Sequence, residues 1–232
     1  MLAFIAAAVG GASSLWDVVR TRALLRRFHE AGFRHEPRLV AITRRLEGGA
    51  RVYVVRDPVP YALTAGLWRP AVFLSTGSIE ILDDDELEAV VRHELAHARR
   101  RDPLRILLGR AVRRALFFVP VARDLWIRYV VASELTADAS AVAAQGRYPL
   151  SRALLRLLPA ATETSAERLP GFGPMSDARV IHLLQPASVQ LPAVGRTRLA
   201  LSAAMVLAVL GAVPMHAPPS FFDVLAHLGL TC

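Results

Sequence analysis

Asp83-Asp84-Asp85-Glu86-Leu87-Glu88-Ala89-Val90-Val91-Arg92-His93-Glu94-Leu95-Ala96-His97-Ala98-Arg99-Arg100-Arg101-Asp102-Pro103 is the stretch on which the reading of this chain turns. It predicts one helix. Asp83 suits an N-cap with Glu86 as its capping-box partner, the acids of the first turn and the arginines of the last complement the helix dipole, and Pro103 marks a stop. Leu87, Val90, Val91 and Leu95 recur at helical spacing and form a stripe for burial. On such a helix His93 and His97 lie one turn apart on the same face, so two imidazoles converge on a single ion, while Glu94 faces the ion's open side. Two histidines four apart also arise by chance, but on a buried helix they and a glutamate need a metal or other partners. The pattern is the donor geometry of a zinc hydrolase, and it requires a third ligand.

Working outward, a candidate third ligand lies in Ala132-Ser133-Glu134-Leu135-Thr136-Ala137-Asp138-Ala139-Ser140. Glu134 and Asp138 stand one turn apart in an alanine-rich helical run, so if Glu134 binds the ion, Asp138 can back a ligating histidine from behind. The alternative is a solvated acidic face. Against it stand the apolar surroundings and the match of His-His-Glu, with one open position, to a catalytic zinc set.

The run His93 to Asp102 (H-E-L-A-H-A-R-R-R-D), the downstream E-L-T-A-D and the preceding Ala65-Gly66-Leu67-Trp68-Arg69-Pro70-Ala71-Val72-Phe73-Leu74-Ser75-Thr76-Gly77 together resemble the BlaR/MecR-type integral-membrane metallopeptidases, peptidase family M56. The Ste24/HtpX-type membrane proteases share the same zinc logic. The resemblance is good over about residues 50 to 140 and elsewhere holds in layout only. It implies a gluzincin-like site, with His93, His97 and Glu134 on zinc, Glu94 as the base and Asp138 as the supporting carboxylate. Antibiotic-sensing members carry a large extracellular penicillin-binding domain at the C-terminus. This chain ends at Cys232, so beta-lactam sensing is not expected of it.

The 232 residues are 53% hydrophobic, enough to fill one core with apolar side chains left over for lipid. Every one of the 28 basic residues is an arginine, and the net charge is +8. No nucleic-acid-binding motif accompanies that charge and the arginines cluster beside apolar runs, so a membrane surface is the expected partner and direct nucleic-acid binding is not. The single cysteine, Cys232, excludes an intrachain disulfide and a thiolate zinc site.

Met1 to Trp16 is uncharged, and extended to Val19 it approaches the length of a span. It lacks the positive leading segment of a cleaved signal, and Arg20, Arg22, Arg26 and Arg27 follow it, which places the next segment in the cytoplasm. Leu199 to Phe222 carries no Asp, Glu, Lys or Arg, and Arg196 and Arg198 precede it. The expected organisation is a transmembrane helix over 1–19, a cytoplasmic zinc metallopeptidase domain over 20–195, a second transmembrane helix over 196–222 and an extracytoplasmic tail over 223–232. The predicted fold is mainly α with a small β-sheet, in a multi-pass cell-membrane protein whose active site faces the cytoplasm.

Within that domain, residues 18 to 47 read as a basic helix or helix pair broken near Gly32 and Pro37. Residues 51–55 and 71–75 read as strands, with Pro58, Pro60, Gly66 and Pro70 supplying turns between them. The second strand is the candidate edge on which a substrate backbone would line up, with a plain core strand as the alternative. Residues 104–121 read as a basic amphipathic helix, with Arg105, Arg110, Arg113 and Arg114 on one half, expected to rest on lipid phosphates; a spanning hairpin is the alternative. Pro159 to Asp177 reads as a linker or lid, followed by a short helix, Asp177 to Leu184. The resemblance implies an arginine in a comparable place, so Arg179 is a candidate to stabilise an oxyanion or clamp Glu134, and His182 is a second candidate with packing against Leu183 and Leu184 as the alternative. The resulting functional expectation is a zinc-dependent endopeptidase acting on a protein or peptide substrate, either one cytoplasmic repressor in a signalling pathway or a broad set of membrane proteins under quality control. The remaining alternative is a non-catalytic membrane scaffold.

Overall fold

In chain order, the computed structural model sets out α1 (Leu2–Ala31), β1 (Phe33–Arg34), α2 (Pro37–Arg45), β2 (Val52–Val55), β3 (Ala62–Ala65), β4 (Ala71–Ser75), α3 (Thr76–Ile81), α4 (Asp84–Arg100), α5 (Asp102–Ala115), α6 (Pro120–Gln145), α7 (Arg147–Ala160) and α8 (Arg196–His216). It describes residues 2–46, 51–160 and 193–216. The architecture is mainly helical with one small sheet, as the sequence predicts.

The sheet has the order β1-β2-β4-β3, with β2 and β4 parallel and both outer pairs antiparallel. All five residues of β4 are buried, because side chains alternate across a strand and both faces of this one are covered. Val72 and Leu74 pack with Leu87, Val90, Val91 and Leu95 of α4. Ala71 and Phe73 pack with Phe28 of α1 and with Leu63 and Ala65 of β3. The strand expected at the edge is therefore central. The edges are β1 and β3, the latter in a segment whose prolines and glycine read as turns.

The long helix carrying the two histidines begins as its sequence requires. Asp83 accepts from the Glu86 N–H at 2.9 Å, and Glu86 accepts from the Asp83 N–H at 3.0 Å, closing a capping box. It ends at Arg101, whose left-handed conformation (φ 54°) is the sole positive φ among the described non-glycine residues. There the chain turns sharply and starts α5 with Asp102-Pro103.

The basic helix pair is present, broken at Gly32 and Pro37, with the short β1 between its halves. Its first member is continuous with the apolar N-terminal run, in one helix from Leu2 to Ala31. Extending that run to Val19 takes in Asp17, which is 5% exposed and pairs with Arg114 at 3.0 Å and Arg110 at 3.7 Å. Two of the arginines expected on lipid phosphates thus face α1 instead. Among the described residues no helix is long and apolar enough to cross a membrane. Pro159, read as the start of a linker, lies in the last turn of α7. The remainder of that linker, the helix over 177–184 with Arg179 and His182, and residues 217–222 of the second expected span lie outside the described residues.

At its far end α6 has a tertiary cap. Val119 offers no side-chain cap, and the Val121 N–H donates instead to Ser202 Oγ of α8 at 3.0 Å, while Arg198 pairs with Asp124 at 2.7 Å.

Candidate metal centre

The two histidines of α4 are buried, and their rings meet edge to face. Each has a carboxylate behind it. Asp138 Oδ1 of α6 lies 2.9 Å from His93 Nδ1, and Asp102 Oδ2 lies 2.7 Å from His97 Nδ1. An ionised carboxylate only accepts, so each Nδ1 carries the proton and each Nε2 of the neutral ring presents a lone pair. Those two Nε2 atoms stand 3.1 Å apart, and Glu134 closes a triangle with them, its Oε2 at 3.7 Å from His93 Nε2 and its Oε1 at 3.6 Å from His97 Nε2.

Three electron-rich atoms facing one another in a buried site repel unless a proton or a metal cation lies between them. A tetrahedral ion with bonds of about 2.0–2.1 Å separates its donors by about 3.3–3.4 Å, and the observed separations bracket that value. The chemistry of the donor set, two imidazoles and one carboxylate, suits zinc. The surroundings favour positive charge here: burial pushes His97 toward its neutral form, but the Asp102 hydrogen bond and the charges of Glu94, Glu134 and Asp102 outweigh burial and raise its pKa. His93, His97 and Glu134 are thus brought together as the sequence predicts, and Asp138 stands behind His93.

Glu94, 5% exposed, is fixed from the sheet. Thr64 Oγ1 of β3 lies 2.8 Å from Glu94 Oε2 and 2.8 Å from the Glu94 carbonyl oxygen. The edge strand therefore reaches the glutamate beside the histidine pair. Glu134 is the most open of the three donors, its side chain 20% exposed.

Sequence reading assigned no role to Thr64 or to Asp102. Burial works against the ionised form of Asp102, yet hydrogen bonds from His97, Arg100 and Ser133 hold its carboxyl at about 2. Its signal was an acid just beyond the end of the histidine helix: the left-handed turn at Arg101 folds it back onto the ring it has just passed.

A buried His-His-Glu group that could hold a metal ion, with a glutamate held alongside by an edge strand, has the donor chemistry found in metallohydrolases. Comparison with known proteins narrows the class. The family model described as BlaR1 peptidase M56 matches residues 19–172, and the chain belongs to that family. It is also similar to proteins described as protease HtpX homologs. That of Acidiphilium cryptum (strain JF-5) is 36% identical over 115 residues, covering 44% of this chain and 38% of the relative. That of Trichormus variabilis is 29% identical over 176 residues, covering 67% and 60%. That of Caldanaerobacter subterraneus subsp. tengcongensis is 31% identical over 80 residues, covering 34% and 26%. The chain therefore spans between about a quarter and three fifths of these relatives' lengths.

Proposed function

We propose that this protein is a zinc-dependent endopeptidase of the cell membrane that cleaves a cytoplasmic or membrane-associated protein. The observation that carries the reading is the pair of imidazoles turned Nε2 to Nε2 at 3.1 Å, each with its Nδ1 committed to a buried carboxylate. His93, His97 and Glu134 would hold the ion, which when bound supplies Lewis acidity toward a peptide carbonyl and makes water a stronger acid. Glu94 is the base. Thr64 holds Oε2, which assigns Oε1 to receive the proton of the attacking water and to deliver it to the leaving amine. Asp138 and Asp102 hold the two rings in the tautomer that donor duty requires. An extended substrate would add to the outer edge of β3, which leads its backbone past Glu94.

Bilayer association is supported by the apolar side chains that three helices leave exposed: Leu15 and Trp16 on α1, Leu108 and Val112 on α5, and Leu201 and Leu207 on α8. The arginines after the first apolar run and before the last support a site that faces the cytoplasm. Two substrate ranges fit this reading, one dedicated cytoplasmic repressor or a broad set of membrane proteins under quality control.

The test is a pair of variants of the purified full chain. Glu94→Gln should keep bound zinc and lose cleavage of a reporter polypeptide, whereas His97→Ala should lose both. Proteolysis retained in Glu94→Gln refutes the roles, and a wild-type protein that takes up no zinc favours the scaffold. A membrane proteome in which one protein, rather than many, accumulates in Glu94→Gln cells identifies the dedicated-substrate form.

A further inference from the structure

We propose that Arg100 is a positioning residue: acting through Asp102 and Ser133, it fixes where the helix bearing Glu134 lies against the helix bearing the two histidines. The inference rests on the metallopeptidase reading above.

The candidate donors come from two separate elements, His93 and His97 from α4 and Glu134 from α6, so their mutual spacing depends on how those helices are tied. One tie is the contact of Asp138 with His93. The second lies on the other side of Glu134 and is built around one guanidinium. Arg100 Nη2 lies 2.6 Å from Asp102 Oδ2 and donates to the Ser133 carbonyl oxygen at 2.9 Å, while its Nε lies 3.2 Å from the same carboxylate oxygen. Ser133 Oγ completes the ring by donating to Asp102 Oδ2 at 3.0 Å. That oxygen also receives His97 Nδ1. One carboxylate oxygen thus joins a candidate metal-binding ring on α4 to the residue immediately before the candidate metal-binding carboxylate on α6.

Two ties at residues 133 and 138, bracketing Glu134, fix both the translation and the rotation of α6 against α4. The carbonyl of a helical residue has a second lone pair beyond its intrahelical bond, so Arg100 can use it without breaking α6. A guanidinium suits the task because its planar fork serves two acceptors in fixed directions, which a lysine ammonium does not.

The test uses the purified full chain in detergent, with zinc affinity measured by competition with a chromophoric chelator, geometry read from the visible spectrum of the cobalt(II)-loaded protein, and melting temperature measured without metal. Arg100→Gln should bind zinc about 10- to 100-fold more weakly, the range seen when groups supporting ligands are removed, with a changed cobalt spectrum. Arg100→Lys keeps a charge on Asp102 but cannot also hold the Ser133 carbonyl, so it should stay well short of wild type at an unchanged metal-free melting temperature. Wild-type affinity and spectrum in Arg100→Gln overturn the inference and leave the metallopeptidase reading standing. Full recovery in Arg100→Lys shows that a point charge suffices and overturns the tie to α6. A metal-free melting temperature that falls in step with the affinity assigns Arg100 to the fold alone. A wild-type protein that binds neither metal overturns the inference together with the reading beneath it.

Discussion

Replacing Thr64 by valine removes one hydroxyl while keeping the branched shape that suits a strand. The hydroxyl lies 2.8 Å from Glu94 Oε2 and 2.8 Å from the Glu94 carbonyl, and its one proton serves one of them at a time. A hydrogen bond to a charged group is worth about 1.5–3 kcal/mol. If that bond orients the carboxylate for proton transfer, its loss lowers kcat by roughly one to two powers of ten, at about 1.4 kcal/mol per decade. Thr64 touches none of the three candidate donors, so zinc content should not change, and Thr64→Ser should recover the rate. Steady-state cleavage of a fluorogenic peptide, with zinc quantified on the same samples, decides the matter. Wild-type kcat in Thr64→Val, or a loss of zinc equal to the loss of rate, refutes the idea that the edge strand orients the base.

Two further outcomes follow from buried acids. Asp102 has its carboxyl lowered to about 2 from an ordinary value near 3.8, so the stability it contributes is fully present above the ordinary value and is lost as pH falls through about 2. Thermal melts of metal-free protein should therefore show wild type and Asp102→Asn converging between pH 4 and pH 2, and a gap that stays constant would contradict the depressed value. Asp17→Ala leaves Arg110 and Arg114 without the carboxylate between them, which should destabilise the protein by up to about 3 kcal/mol, a melting shift of roughly 6–12 °C for a chain of this size. Adding Arg114→Leu should recover part of that loss, and strict additivity of the two changes would rule out the coupling.

What the sequence revealed and what it hid divide along the distance over which residues act. The α4 start and the facing of Glu134 and Asp138 were legible because capping boxes and one-turn pairs are local rules. The strand β3 was not, since Ala-Leu-Thr-Ala has little intrinsic preference for a strand and is ordered by pairing with β4. Thr64 was hidden with it. Asp102 was visible as a residue but not as a partner of His97, because its return depends on one left-handed residue that no proline or glycine announces. The apolar N-terminal run gave no sign that Asp17, just past Trp16, has partners about a hundred residues away, because such pairing follows no local pattern. The same long reach supplies the guanidinium link between α4 and α6.

The borrowed cap of α6 bears on the order in which the protein is completed. Val121 and Ser202 are separated by 81 positions, so during synthesis the helix bearing Glu134 leaves the ribosome well before the hydroxyl that finishes its first turn. An uncapped helix start is weaker by about 1 kcal/mol and frays. Until α8 docks, the beginning of α6 lacks that cap and is the looser end of the helix.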